Sequence, residues 1–133
     1  MKFELPKPFR DRPFIIDLDL CSVVLENEDI PWIMLIPRRP SINQINRLSP
    51  SDSILLINEI NMMSNIMESI FTPDKLNVAA IGNKTDELHI HIVCRYKNDR
   101  FWPETIWGNP LKNLDDQEIS RRVSKIREKV FVL

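Results

Sequence analysis

The order of elements along the chain predicts an α+β fold: an antiparallel β-sheet with one long helix and one C-terminal helix. Three observations carry this expectation. Two apolar runs, Asp19 to Leu25 and Trp32 to Ile36, flank the short polar turn Glu26-Asn27-Glu28-Asp29, which suits an antiparallel hairpin. Leu56, Ile60, Met63, Met67 and Ile70 follow helical spacing. A second pair of strand-like runs, Leu76 to Ile81 and Glu87 to Arg95, precedes a final helical pattern. Strand pair, long helix, strand pair and helix in that order give α+β rather than alternating α/β.

Each element has local reasons. Residues 1–16 are proline-rich and are expected to lie extended over the body. Pro37-Arg38-Arg39-Pro40 ends the second strand, because proline cannot donate to a ladder. Ser49-Pro50-Ser51-Asp52 is a helix start: Ser49 can cap, Pro50 fits the first turn, and Asp52 favours the positive end. That helix is expected to run to Pro73, its methionines filling the core. Gly82-Asn83 turns the chain into the motif strand. Asp115 or Asp116 caps a last helix carrying Ile119, Val123, Ile126 and Val130. Its Arg121, Arg122, Lys125, Arg127 and Lys129 are expected to form a solvated face.

The 133 residues suffice for one domain with a real core. With 18 basic and 19 acidic residues the net charge is −1, which gives no footprint for a nucleic-acid backbone. No apolar run is long enough to span a bilayer, and the charged, proline-rich start does not resemble a signal peptide, so a cytoplasmic protein is expected. Cys21 and Cys94 are too few for a disulfide framework. Cys94 continues the parity of Leu88, Ile90 and Ile92 and is expected to be a buried thiol.

The run Glu87-Leu88-His89-Ile90-His91-Ile92-Val93 holds both histidines of the chain. Alternation puts Glu87, His89 and His91 on one face and Leu88, Ile90 and Ile92 on the other. Burial of the apolar side pins the register, so the imidazoles are presented as a fixed pair. Imidazole can act as nucleophile, acid–base group or metal ligand near neutral pH. The same face also admits a metal-site reading through Glu87, His89 and His91, although a catalytic zinc site more often draws a ligand from elsewhere. No metal and no cofactor is expected.

This pattern resembles the signature of the histidine triad family, His-φ-His-φ-His-φ-φ with φ apolar. His89 and His91 fall on its second and third histidines, and Glu87 replaces the first. Leu76-Asn77-Val78-Ala79-Ala80-Ile81-Gly82-Asn83, Pro31-Trp32, Pro37-Arg38-Arg39, Trp102-Pro103 and Trp107-Gly108 are similar to landmarks of a bacterial branch. The likeness covers residues 17–108, within a single domain 1–133 that has a helical extension over 109–133. It implies a nucleotide phosphohydrolase or nucleotidyl transferase that forms a covalent nucleotidyl-histidine at the α-phosphate, and a homodimer joined at sheet edges. Dinucleoside polyphosphates and nucleoside phosphoramidates are both substrates the likeness allows. The alternative is a nucleotide-binding or partner-binding homodimer without catalysis.

The resemblance also assigns roles. His89 is the nucleophile, with its other ring nitrogen donating to the backbone carbonyl of Glu87. His91 contacts phosphate or orients the strand. Asn77, Asn83 and Lys84 are candidates for phosphate, with Lys84 standing where a small hydroxyl residue is common; a solvated turn lysine is its bland alternative. Asn27 is a candidate for the ribose hydroxyls, or simply a turn former. Trp32, Trp102 and Trp107 wall a base or pack a core or interface. Departures from the branch are Thr85-Asp86-Glu87 in place of Val-Pro-Gln, and Trp32 where many members have histidine. Glu87 is expected to repel phosphate and to favour protonated His89, and so to modulate the site.

Overall fold

The computed structural model of the chain describes residues 2–132; Met1 and Leu133, the ends of the expected N- and C-terminal segments, lie outside the described residues. The described elements are α1 (Lys7–Arg10), β1 (Phe14–Asp17), β2 (Cys21–Leu25), β3 (Trp32–Pro37), a 3-10 turn (Ile45–Arg47), α2 (Pro50–Phe71), β4 (Lys75–Ala79), β5 (Ile90–Arg95) and α3 (Asp116–Val132). The strands form a five-stranded sheet in the order β1-β2-β3-β5-β4, every neighbouring pair antiparallel. The expected α+β class, with its long helix and its C-terminal helix, is the observed one.

β2, β3 and β5 are buried along their whole length, so both faces of the sheet are covered. One face carries Val23, Leu25, Ile33, Leu35, Ile90, Ile92 and Cys94, packed with Met63, Met67, Val123 and Ile126 of α2 and α3. The opposite face carries Val24, Trp32, Met34, Ile36 and Val93, and it is closed by Phe9 of the short α1 and by Ile106 from an irregular segment. His89 and His91 belong to this second face. The two long helices thus hold the sheet from behind, while α1 and loops shape the side that bears the histidines.

The long helix starts as its sequence dictates. Ser49 Oγ accepts the Asp52 N–H at 3.1 Å, and Pro50 occupies the first turn. It stops at Thr72, whose φ of 43° is left-handed, just before Pro73. In its middle, the buried carboxylate of Glu59 accepts the N–H groups of Leu20 (2.8 Å) and Cys21 (2.9 Å), tying α2 to the start of β2. Asp115 caps α3 by accepting the Glu118 N–H at 2.8 Å. Cys21 and Cys94 are free and buried, and burial pushes both thiols above their ordinary range.

Three expectations change. Residues 1–16 are not simply extended: they form α1 and most of β1, and Phe9 is fully buried against the sheet. Prolines at 6 and 8 hide this in the sequence, although proline suits a first helical turn. The motif strand pairs only from Ile90, with Glu87 to His89 leading into it. The basic face of α3 is only partly solvated. Arg122 is buried and donates to the carbonyls of Glu28 (3.0 Å) and Asp29 (2.7 Å), and Arg127 donates to that of Ile15 (2.7 Å). A guanidinium that docks α3 onto the carbonyls of the β2–β3 turn and of β1 has the same spacing in sequence as one that faces water.

Candidate active site

Leu88 anchors the motif. It is buried on the helix-packed side, and its N–H donates to the Ile42 carbonyl at 3.0 Å. Alternation then turns His89 and His91 to the opposite face. Across β5, His91 lies opposite Met34 of β3 and Ala79 of β4. The imidazole rings are 4.8 Å apart and nearly perpendicular, at 71°. They are 5% and 6% exposed, respectively.

Hydrogen bonds assign the protons. His89 Nδ1 lies 2.7 Å from the Glu87 carbonyl oxygen. A carbonyl only accepts, so Nδ1 carries the proton and Nε2 keeps a free lone pair. His91 is the reverse. Its Nδ1 accepts the indole N–H of Trp32 at 3.0 Å, so its proton sits on Nε2, which faces the Ile81 carbonyl at 3.5 Å. One ring therefore offers a lone pair and its neighbour an N–H.

Burial keeps both rings neutral. It pushes His89 below its ordinary value against the pull of the Glu87 and Ile81 carbonyls, with the Arg12 guanidinium acting in the same direction as burial. For His91 burial, with His89 and Arg12 adding to it, brings the value down to about 4. The Glu87 backbone carbonyl favours a proton on that ring, and desolvation outweighs it. The Glu87 carboxyl is itself pushed up, first by burial and then by the charge of Asp86, and its Oε1 is buried without a hydrogen-bond partner among the described residues.

The surrounding walls are aromatic. Phe9 lies 4.8 Å from His89, Trp107 lies 5.5 Å from His91, and Trp32 and Trp107 meet edge-on at 6.1 Å. The loop that brings Trp107 here is organised by Arg95 and Asp99. Arg95 makes two bonds to the Asp99 carboxylate, at 2.8 and 3.0 Å, and one to the Glu104 carbonyl, at 2.8 Å. Asp99 also accepts the N–H groups of Tyr96, Phe101 and Trp102. Burial alone would raise this carboxyl; Arg95 and those amides hold it far below the usual carboxylate range.

The turn from Gly82 to Asp86 folds back against the site. A Cβ on Gly82 would stand 3.0 Å from the Thr85 carbonyl oxygen and 3.8 Å from His89 Cε1. Asn83 and Lys84 are exposed in this turn. Asn77 shares the histidine face through its pairing with Val93, and its Oδ1 accepts from Arg95 at 3.0 Å. Asn27 sits in the β2–β3 turn, where its Oδ1 accepts the Leu114 N–H at 2.7 Å. Each of these two amides thus keeps its NH2 as the group to offer a ligand. Trp102 lies against Arg95, 5.8 Å from its guanidinium, as part of the loop rather than beside the imidazoles.

Among the described residues no three His, Cys, Asp or Glu side chains gather as a metal site. His91 takes the Trp32 N–H on Nδ1 and carries its own proton on Nε2, so that ring has no lone pair for a metal, which counts against the reading of Glu87, His89 and His91 as a ligand set. The residues that sequence reasoning missed are Phe9 and Arg12. Arg12 pairs with the buried Glu26 carboxylate and lies 5.9 Å from the Phe9 ring. No local signal marks either as part of a site built on β5.

A family model of the HIT domain matches residues 9–98. This chain belongs to the histidine triad family. That family is one of nucleotide-binding and nucleotide-hydrolysing folds. The match starts at Phe9, the residue that lies over His89. The chain is similar over nearly its whole length to three solved bacterial histidine triad proteins. One from Bradyrhizobium japonicum is 33% identical, covering 98% of this chain and 99% of that one, with a TM-score of 0.93. One from Marinobacter aquaeolei is 31% identical, covering 100% and 99%, with a TM-score of 0.93. One from Sinorhizobium meliloti is 30% identical, covering 96% of both chains, with a TM-score of 0.91. No curated protein matches the sequence. Among the described residues, no helix is long and apolar enough to cross a membrane.

Proposed function

We propose that this histidine triad protein is a nucleotide phosphohydrolase or nucleotidyl transferase that works through a covalent nucleotidyl-His89. The observation that carries this reading is the contact between His89 Nδ1 and the Glu87 carbonyl at 2.7 Å. It holds the ring with its Nε2 lone pair free, and it depends on no side chain at position 87. In the first step the Nε2 lone pair forms a bond to the α-phosphorus. The bond from phosphorus to the leaving group breaks, and its electron pair departs with that group. The Glu87 carbonyl stabilises the positive charge that the nucleotidyl-imidazolium gains. In the second step water attacks phosphorus, the P–N pair returns to Nε2, and the proton from water goes to solvent. Neutral His89 is the form restored.

In this reading Lys84 and the amides of Asn83 and Asn77 receive phosphate oxygens, and His91 donates from Nε2. The NH2 of Asn27 serves the ribose hydroxyls. The whole chain acts as one domain, in the cytoplasm, without a nucleic-acid partner. A homodimer is supported by the free edge of β4, where Val78 is 45% exposed, and by Ile54 (62%) and Ile57 (51%) on the outer side of α2. Trapping and mass analysis of the nucleotidyl-His89 adduct tests the mechanism. A screen of nucleotide substrates with His89→Ala as control tests the activity, and near wild-type hydrolysis by that variant would sink the reading.

One observation favours a second reading, a nucleotide-binding or partner-binding homodimer without turnover. Phe9 lies over His89 and leaves it almost no contact with water. Nucleotide binding with no adduct and no product would select it.

A further inference from the structure

The hydrogen bond between Trp32 and His91 has a chemical consequence for the leaving group. Trp32 Nε1 has only an N–H to give, and it gives it to His91 Nδ1 at 3.0 Å inside the protein. An imidazolium carries protons on both nitrogens, so its Nδ1–H would meet the indole N–H head-on with no acceptor between them. The ring is packed between Trp107, at 5.5 Å, and His89, at 4.8 Å. We propose that Trp32 is a positioning residue that locks His91 in its neutral Nε2–H form, so that the site donates a hydrogen bond to its substrate but no proton, and therefore selects nucleotides whose leaving group departs as an anion.

The inference rests on the phosphohydrolase reading and goes beyond it. A phosphoanhydride releases a phosphate oxygen that is stable as an anion, so a hydrogen bond from a neutral Nε2–H is sufficient help. A P–N bond releases an amine only if the nitrogen gains a proton before or during cleavage. His91 beside Trp32 cannot supply that proton at neutral pH. The charged and titratable surroundings agree with this. His89 on the same strand and Arg12 from the N-terminal segment both oppose a positive charge on His91, while β3 and β4 place only Met34 and Ala79 opposite it. The carboxyls of Asp86 and Glu87 lie on the turn before the motif, and the Ile81 carbonyl favours charge on His91.

The test combines a structural and a kinetic readout. Nitrogen-15 NMR of the wild-type protein without substrate should show His91 Nδ1 unprotonated and Nε2 protonated from pH 8 down to pH 5. Trp32→Phe keeps an aromatic ring and removes the donor; it should give mixed tautomers and a higher His91 titration midpoint. A dinucleoside tetraphosphate and adenosine 5′-phosphoramidate are then compared by kcat/KM. Wild type should favour the anhydride by tenfold or more, and Trp32→Phe should narrow that ratio, most clearly toward acid pH. A proton on His91 Nδ1 in the wild type would overturn the lock, whatever the kinetics. Comparable rates on both substrates would overturn the selectivity and point to another acid, with Glu87 the first candidate. No turnover of either by wild type would overturn the selectivity together with the phosphohydrolase reading, while the tautomer is decided by the NMR alone.

Discussion

The ring of Phe9 lies 4.8 Å from that of His89, tilted by 57°, and the imidazole is only 5% exposed. Burial is the largest influence on His89 and lowers its proton affinity. Phe9→Ala should therefore move the His89 titration up, toward the ordinary value near 6.5. Removing a buried phenylalanine should also cost about 3–5 kcal/mol of stability. Proton NMR of the His89 ring and urea denaturation read the two effects separately. An unchanged titration would show that Phe9 is packing only and does not set the protonation of the site.

Arg95 and Asp99 form the other decisive pair, with side chains 2% and 4% exposed. Truncating one partner of a buried ion pair strands the other, which costs about 3–5 kcal/mol. Asp99→Ala should lose that much, and three backbone N–H groups lose their acceptor with it. Because this carboxylate orders the loop that carries Trp107, the variant should also blunt nucleotide binding. Tryptophan fluorescence would register the first change during denaturation and the second during a nucleotide titration. A loss under about 1 kcal/mol would mean that water replaces the carboxylate without penalty.

Stability should fall with acid in a defined window. His91 titrates near 6.5 when unfolded and at about 4 when folded. The unfolded chain thus takes up this proton first, so stability is complete above pH 6.5 and is lost as pH falls toward 4. The loss amounts to about 3 kcal/mol for this residue. His89, lowered in the same direction, adds to it. Carboxylates held low by partners act further down the scale; Glu118, lowered to about 2 by Arg121 and Arg122, is one. Denaturation midpoints across pH should show the slope, and His91→Gln should flatten it. A slope unchanged in that variant would assign the window to other groups.

The parts of the fold legible in the sequence are those with local causes. Ser49, Pro50 and the spacing of Leu56, Ile60, Met63 and Met67 mark α2 because cap and period act within one helix. Alternation from Leu88 to Cys94 marks the faces of β5 for the same reason. The contact from His89 to the Glu87 carbonyl is reachable by resemblance because it uses backbone. What stays hidden is what depends on distant partners. Phe9 and Arg12 reach β5 from the other end of the chain. Glu28 reads as a solvated turn residue, yet it is fully buried and accepts from Ile30, Arg100 and Lys112. Arg122 is another such residue, since nothing in its spacing reveals the two carbonyls that it serves.

Glu87 is the position where charge and burial are least reconciled. Among the described residues its buried Oε1 has no hydrogen-bond partner, and desolvation together with Asp86 raises its proton affinity. For a carboxyl raised on folding, the fold favours the neutral form. Its contribution is intact below the ordinary value of 4.5 and is lost as pH rises through the folded value. At neutral pH the carboxylate is thus a net burden on the folded state. Glu87→Gln keeps the shape and removes the charge, so it should raise stability at pH 7 by on the order of 1 kcal/mol, with a smaller gain near pH 4. The same change removes a negative charge next to the place proposed for phosphate. Hydrolysis should rise, most at low salt, where repulsion is least screened. The two readouts separate the possible roles of this side chain. If Glu87 instead supplies a proton to the leaving group, stability still rises but activity drops by roughly a hundredfold. Stability and rate measured on one preparation at pH 7, in low and high salt, decide between a repelling carboxylate and a working acid.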